Sequence, residues 1–235
     1  VVYNGEIYNF LEIRCELIKR GYSFSTQCDT EVILYAFQEW GKDAFKKFNG
    51  MFAIALWDKH TRRLYLARDR LGIKPLYFYQ NSNNFLFASE IKAFSKITDQ
   101  ELGFSQEGVA QYLAFQTYHS QQSLFKGVEQ IPPGYVFVYQ EERLVEKNQF
   151  YQLQFVESDN LSFSESTKKL SSIIESSVER HLIADVPVST YLSGGFDSSL
   201  VSTITSTYLP QVLTFNGSVR EGEQYDESHL AQAVA

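Results

Sequence analysis

Ser193-Gly194-Gly195-Phe196-Asp197-Ser198-Ser199 gathers three hydroxyls, two glycines and one carboxylate into seven residues. Glycine lets a backbone turn sharply and lets a ligand approach the main chain. The apolar stretch Val186–Leu192 precedes this loop, and the amphipathic stretch Ser198–Tyr208 follows it. A strand–loop–helix order aims the free N–H groups and positive end of the helix at the loop, which makes an anion site. Ser193, Ser198 and Ser199 add hydroxyl donors, and Asp197 suits a Mg2+ ion that accompanies phosphate. No Gly-Lys-Ser/Thr follows, so a P-loop that splits off γ-phosphate is not indicated. The plainer reading is a turn and helix cap, for which Ser, Gly and Asp are common. The strand before and the helix after favour phosphate.

Asn4-Gly5-Glu6 is the second constellation. Asn-Gly is first of all a turn signal. An Asn amide beside a Gly N–H can also stabilise the oxyanion of an acyl-transfer intermediate. On these residues alone the turn reading stands. Cys15 and Cys28 lack His or Cys partners at metal spacing and are too few for a disulfide scaffold, which points to a reducing cytoplasm. Cys15, on the first expected helix, reads as a small buried apolar residue. His60, His119, His181 and His229 are scattered and read as ordinary surface or core residues.

The elements that must hold these groups follow from periodicity. A first helix, capped at Asn9 with Glu12 three residues on, ends at Gly21, with Leu11, Ile13, Leu17 and Ile18 as its apolar side. A second runs from about Thr30 to Trp40 and is closed by Gly41. Met51–Trp57 and Arg63–Ala67 read as paired strands. So do Leu76–Tyr79 with Asn84–Ala88, around Asn81-Ser82-Asn83, and Val136–Tyr139 with Leu144–Phe150. The acidic stretch around Glu157, Ser158, Asp159 and Asn160 reads as a linker. Ser162 and Glu165 then open a helix as a capping box, with Leu170, Ile173, Ile174, Val178 and Leu182 on one face. Strand Val186–Leu192, helix Ser198–Tyr208 and strand Gln211–Phe215 form a βαβ unit with parallel strands. Arg62, Arg63, Arg68 and Lys74 could form an anion patch, but Gly72 and Pro75 favour a solvated hairpin.

Length and composition set the outer bounds. The 235 residues allow one large domain or two small ones. An apolar share of 44%, with 15% aromatic, supplies a packed core and excludes a disordered chain. A net charge of −7 disfavours nucleic acid and anionic membranes as partners. No apolar run approaches the roughly 18–20 residues that span a bilayer. The start has no signal-peptide pattern and no initiator Met, and further sequence is expected upstream.

Asp185-Val186-Pro187-Val188 with Tyr191-Leu192-Ser193-Gly194-Gly195-Phe196-Asp197-Ser198-Ser199 resembles the pyrophosphate loop of ATP pyrophosphatases, in the version found in glutamine-dependent asparagine synthetases. Asn4-Gly5-Glu6-Ile7-Tyr8-Asn9 and Asp29-Thr30-Glu31 resemble class II glutamine amidotransferase motifs. So do Phe48–Ala53, Ala67–Leu76 and Ala88–Ala93. The resemblance covers nearly the whole chain. It implies an α+β amidotransferase domain of the N-terminal-nucleophile type over residues 1–152, with stacked antiparallel sheets and flanking helices. A linker at 153–163 would lead to the start of an α/β parallel-sheet ATP-pyrophosphatase domain at 164–235. Both domains are expected to be incomplete in this stretch.

The resemblance also implies roles. Asn4 and Gly5 would form the oxyanion hole. Asp29, with Glu6 nearby, would recognise the α-ammonium of glutamine by charge-assisted contact. Leu192 would touch the nucleoside side of ATP. Ser193, Gly194, Gly195, Asp197, Ser198 and Ser199 would hold pyrophosphate, with Asp197 near Mg2+. Leu213–Phe215, then Tyr225-Asp226-Glu227 and Ala231–Ala235, resemble the family's next strand and helix, with Asn216-Gly217-Ser218 in the adenine region. For Asp226 and Glu227 an exposed helix start is an equal reading. Phe196 replaces a small aliphatic residue, and Cys28 replaces a more usual Ser. The family's nucleophile is an N-terminal cysteine whose free α-amine acts as base, which neither Cys15 nor Cys28 can replace. The arginine that clamps the glutamine carboxylate also falls upstream.

The expected reaction is amidation of aspartate, with glutamine and ATP-Mg2+ as co-substrates and a homodimer as one state open to it. Amidation or lactam closure on another carboxylate and a catalytically dead nucleotide-binding homologue are the rivals. The intact Asn4/Gly5/Asp29 set favours a glutamine user.

Overall fold

The computed structural model describes residues 1–81, 84–97, 102–118, 120–155, 161–218 and 226–235. Ser82, Asn83, His119, Tyr225 and the linker residues 157–160 lie outside the described residues. The chain divides into two compact units, Val1–Gln154 and Phe155–Ala235.

In the first unit a five-stranded antiparallel sheet has the order β1-β2-β3-β7-β8: Val2–Ile7, Gly50–Asp58, Arg63–Arg68, Tyr135–Gln140 and Arg143–Gln149. A three-stranded antiparallel sheet has the order β5-β4-β6: Phe85–Ala88, Tyr77–Gln80 and Val128–Gln130. Strand β2 shows why the run Met51–Trp57 is continuously apolar. Phe52, Ile54 and Leu56 pack with Ile13 and Leu17 of α1 (Phe10–Lys19), Val32, Ile33 and Ala36 of α2 (Asp29–Trp40), and Phe45 of α3 (Ala44–Lys47). On the other face Ala53 and Ala55 pack with Leu76, Phe78 and Ile131 beneath the second sheet. A strand covered on both faces loses the polar alternation of a half-exposed one. Helix α4, Gln106–Phe115, is capped by the Ser105 side chain and was not foreseen from the sequence.

Three local expectations are corrected here. Asn9 does precede α1, but its side chain makes no cap. It donates to Lys47 O at 2.9 Å and accepts from Asn49 N–H at 2.8 Å, tying α1 to the entry of β2. Cys15 is exposed, not buried, because the buried side of α1 is only Ile13 and Leu17. Residues 68–75 are a solvated hairpin only at Leu71 and Ile73, which are exposed, and not at its base. Arg68 and Asp69 are 7% and 1% exposed. The Arg68 guanidinium donates to the carbonyls of Lys74, Ile131 and Gly72. The Asp69 carboxylate accepts N–H bonds from Phe52, Leu71, Ile73 and Lys74. Burial pushes the Arg68 pKa down, although the neighbouring Asp69 charge opposes the shift.

The second unit begins with α5, Phe163–His181, opened by the Ser162/Glu165 capping box. Strand β9 (Ser189–Tyr191), helix α6 (Phe196–Tyr208) and strand β10 (Leu213–Phe215) form a parallel βαβ pair, followed by α7 (Ser228–Val234). Thr190 on β9 and Ser202 on α6 share a buried hydrogen bond of 2.8 Å that pins helix to strand. The expected strand Val186–Leu192 shrinks to three residues, with Val186 71% exposed. Pro187 has no N–H to give a ladder. Of the expected apolar face of α5 only Val178 is buried, while Leu170 and Ile173 are exposed. Asp226 lies two residues before α7, accepting from Ser228 N–H at 3.0 Å and from the Ser228 hydroxyl at 3.1 Å.

Candidate functional site

Asn4-Gly5 lies within β1, not in a turn, and β1 is an edge strand. Side chains alternate along it, with Asn4 and Glu6 on the exposed face and Tyr3 and Ile7 on the face that joins the helix-side core. Gly5 lies opposite Phe52. Both backbone groups of Phe52 turn away from β1, its N–H to the Asp69 carboxylate and its C=O to Asp69 N–H. Gly5 and Phe52 therefore form a non-hydrogen-bonded pair, and the Gly5 N–H faces the open edge of the sheet. Gly5 has φ of +152°, and a Cβ there would collide with the Met51 carbonyl and lie 2.7 Å from Phe52 Cα. No other residue type fits without moving β2.

Asp29 stands on the same edge. It opens α2, and its Oδ2 accepts from Ile7 N–H at 3.1 Å and from the Tyr3 hydroxyl at 2.7 Å. Ile7 and Gly5 are two residues apart, so the Asp29 carboxylate lies about 7 Å along the strand from the Gly5 N–H. Burial, and then the hydrogen bond to Asp29, raise the Tyr3 pKa far above its ordinary value, so Tyr3 remains a protonated donor. The loop before α2 is held by Glu31, which accepts from Ser25 N–H, Thr26 N–H and the Thr26 hydroxyl. Those donors, the Ser25 N–H foremost, lower the Glu31 pKa. The exposed Cys28 thiol lies 3.5 Å from Asp29 Oδ1 and 3.3 Å from the Thr30 hydroxyl.

The second constellation sits between β9 and α6. Gly194 has φ of +84°, and a Cβ there would press on Leu230 and lie 2.6 Å from Ala231 N, so the loop packs tightly on α7. The Ser193 and Ser198 hydroxyls are 2.9 Å apart, and Ser193 N–H donates to Ser198 Oγ at 3.2 Å. Gly195 caps α6 without a side chain, which leaves the first-turn N–H groups facing the loop. Ser199 Oγ is buried there without a hydrogen-bond partner among the described residues. Leu192 is 2% exposed, and its carbonyl accepts from the Asn216 amide at 2.8 Å. A cleft of about 310 Å³ opens beside them, lined by Leu192, Thr214, Asn216, Ser228, Ala231 and Gln232.

Asp197 is exposed in the first turn of α6. Among the described residues no three His, Cys, Asp or Glu side chains gather to hold a metal. Mg2+ is commonly bound by one or two carboxylates together with substrate phosphates and water. A single Asp197 beside an anion loop with an orphaned hydroxyl fits that requirement.

Sequence reasoning missed three residues around the first constellation. Tyr3 and Asp69 act through long-range hydrogen bonds that have no local periodicity. Ser89, whose hydroxyl accepts from the Asn4 amide at 3.0 Å, lies 85 residues away. Its place in the Ala88–Ala93 motif was the available signal.

Fold and constellations together define a two-part class: an antiparallel unit with Asn4-Gly5 on an open edge strand, and a parallel βαβ unit with a Gly-Ser loop at the start of its helix. Residues 1–151 match the glutamine amidotransferase domain family, and residues 169–235 match the asparagine synthase family. The chain belongs to the glutamine amidotransferase family, carrying an asparagine synthase segment after it. Two curated relatives come from Bacillus subtilis (strain 168). Asparagine synthetase [glutamine-hydrolyzing] 3 is 32% identical over 240 residues, covering 99% of this chain and 38% of the relative. Asparagine synthetase [glutamine-hydrolyzing] 1 is 34% identical over 239 residues, covering 100% and 37%. This chain thus spans less than half the length of these relatives. The solved glutamine phosphoribosylpyrophosphate amidotransferase from B. subtilis is 16% identical with a TM-score of 0.47, covering 100% of this chain and 50% of that one. A likeness that distant supports nothing further. No helix among the described residues is long and apolar enough to cross a membrane.

Proposed function

We propose that the full-length protein is a glutamine-hydrolysing asparagine synthetase of the cytoplasm. Residues 1–152 would serve glutamine hydrolysis and residues 164–235 would bind ATP. The observation that carries this reading is the open edge of β1. There the Asp29 carboxylate stands about 7 Å along the strand from the Gly5 N–H, roughly the span of a glutamine molecule, and Asn4 is the residue next to Gly5. An N-terminal cysteine outside this chain would attack the glutamine carboxamide. Asn4 Nδ2 and Gly5 N–H would stabilise the tetrahedral oxyanion, Asp29 and Glu6 would hold the α-ammonium, and ammonia would leave. Water would then release glutamate from the thioester.

In the second unit the aspartate side-chain carboxylate would attack the α-phosphorus of ATP and expel pyrophosphate. Ser193, Gly194, Gly195, Ser198 and Ser199 would bind that pyrophosphate at the start of α6, and Leu192 would border the nucleoside. Asp197 would hold Mg2+, which neutralises charge on the leaving group. Ammonia would displace AMP from the acyl-adenylate and give asparagine. Dividing one difficult amidation into two steps lowers each barrier.

Pyrophosphate release from the full-length protein should require ATP, Mg2+, aspartate and either glutamine or ammonia together. Turnover without aspartate would move the assignment to another carboxylate. No pyrophosphate with any donor would leave nucleotide binding alone. Asn4→Ala should cut glutaminase kcat by about 10²–10³. Asp197→Ala should abolish pyrophosphate release while glutamine hydrolysis continues.

A further inference from the structure

We propose that Ser89 is the positioning residue for the Asn4 amide. This rests on the amidotransferase reading and deepens it. An oxyanion hole works only if its donors are aimed before charge develops. Gly5 meets that condition through its backbone, since strand pairing fixes the N–H. Asn4 has no such constraint of its own. Its side chain lies on the exposed face of an edge strand. Rotation about the last bond of an Asn side chain is broad and roughly two-fold, so the carbonyl oxygen could face the substrate as readily as the amine. An oxygen in that place would repel the oxyanion.

Ser89 supplies the missing constraint. Its hydroxyl accepts one hydrogen of Asn4 Nδ2 at 3.0 Å and leaves the second hydrogen free to donate. The support behind Ser89 is firm. It directly follows β5, whose last residue, Ala88, pairs with Tyr77. It is followed by the 3-10 helix Ile91–Lys96, anchored by Phe94 at 1% exposure. A residue that follows the second sheet thus reaches the edge of the first and fixes the rotamer of the Asn4 amide. Because Asn4 is exposed, the bond adds little to folding, and its effect belongs in the turnover number.

The test uses the full-length enzyme with its native N-terminus. Ser89→Ala should lower glutaminase kcat about five- to tenfold, the size of one net hydrogen bond. KM for glutamine, the melting temperature and ammonia-dependent pyrophosphate release should stay unchanged. Ser89→Thr, which keeps the hydroxyl, should restore kcat. In an Asn4→Ala background Ser89→Ala should cost nothing more. An unchanged kcat in Ser89→Ala, or an additive loss in the double variant, overturns the inference and leaves the amidotransferase reading standing. A full-length enzyme that does not hydrolyse glutamine at all sinks both.

Discussion

Gly5, Asp69 and Gly194 each do one geometric task that no neighbour can take over. A methyl group at Gly5 meets the Met51 carbonyl and Phe52 Cα, so Gly5→Ala must spread β1 from β2. It should lose about 2 kcal/mol of stability or more and abolish glutamine hydrolysis, read by urea denaturation beside a glutaminase assay. The buried Asp69 carboxylate is the acceptor for four backbone N–H groups, that of Phe52 fully buried and the others part-buried. Asp69→Ala leaves those donors unpaired and should cost more than about 3 kcal/mol in the same denaturation experiment. Part of that loss should appear at the edge of β1, since Asp69 orients Phe52 and Phe52 decides which way the Gly5 N–H points. Motif resemblance singles out Asn4, Gly5 and Asp29 as candidate site residues. Their common edge was not legible in the sequence, because strand pairing and the turn at 69–74 create it from three separate stretches.

At the scale of elements, local signals and long-range ones part company. The Ser162/Glu165 box was read from four residues and formed as read, because a cap is a contact within one turn. Ser162→Ala should cost α5 about 1 kcal/mol, measured as helical circular dichroism against urea. The Ser162 hydroxyl holds the Glu165 pKa below its ordinary 4.5. A lowered carboxylate pKa stabilises the folded state above the unfolded value and stops doing so as pH falls through the folded one. Helicity of α5 should therefore drop on acidification through this range, and Ser162→Ala should flatten that drop. The Asn9 cap failed by the same logic. Its side chain found the backbone of residues 47 and 49, partners that no window around α1 contains. Strand Val186–Leu192 shortened because apolar residues make a strand only where a neighbour offers a ladder, and Leu213–Phe215 offers three residues.

For the whole molecule, the two units differ sharply in what they bury. The first holds three clusters, with Phe45, Phe48, Phe52, Phe94 and Phe137 fully enclosed. In the second, the buried hydrophobic side chains among the described residues are Val178, Leu192 and Ala231. Tyr191, Leu213 and Phe215 remain at least half exposed on the parallel pair. Stability follows buried apolar area. This chain should therefore unfold in two steps with the second unit first. Trp40 and Trp57 both lie in the first unit. Helical circular dichroism should consequently fall at lower urea than tryptophan fluorescence, and coincident curves would contradict the division.

Some features of this protein were settled by order along the chain alone. These are the Gly-Ser loop between a strand and a helix, the capping box, the hairpins, and the succession of an antiparallel part and a parallel part. Each depends on residues within a few turns of one another, where propensity, periodicity and glycine geometry act directly. Tertiary structure decided the rest. It placed Asn4-Gly5 in an edge strand, turned the Gly5 N–H outward through Asp69 and Phe52, and carried Asp29 and Ser89 to that edge from opposite sides. It also buried Arg68 and exposed Cys15. The physical reason is common to all of these. Hydrogen-bond direction and burial are properties of the partner, and here the partner lies tens of residues away.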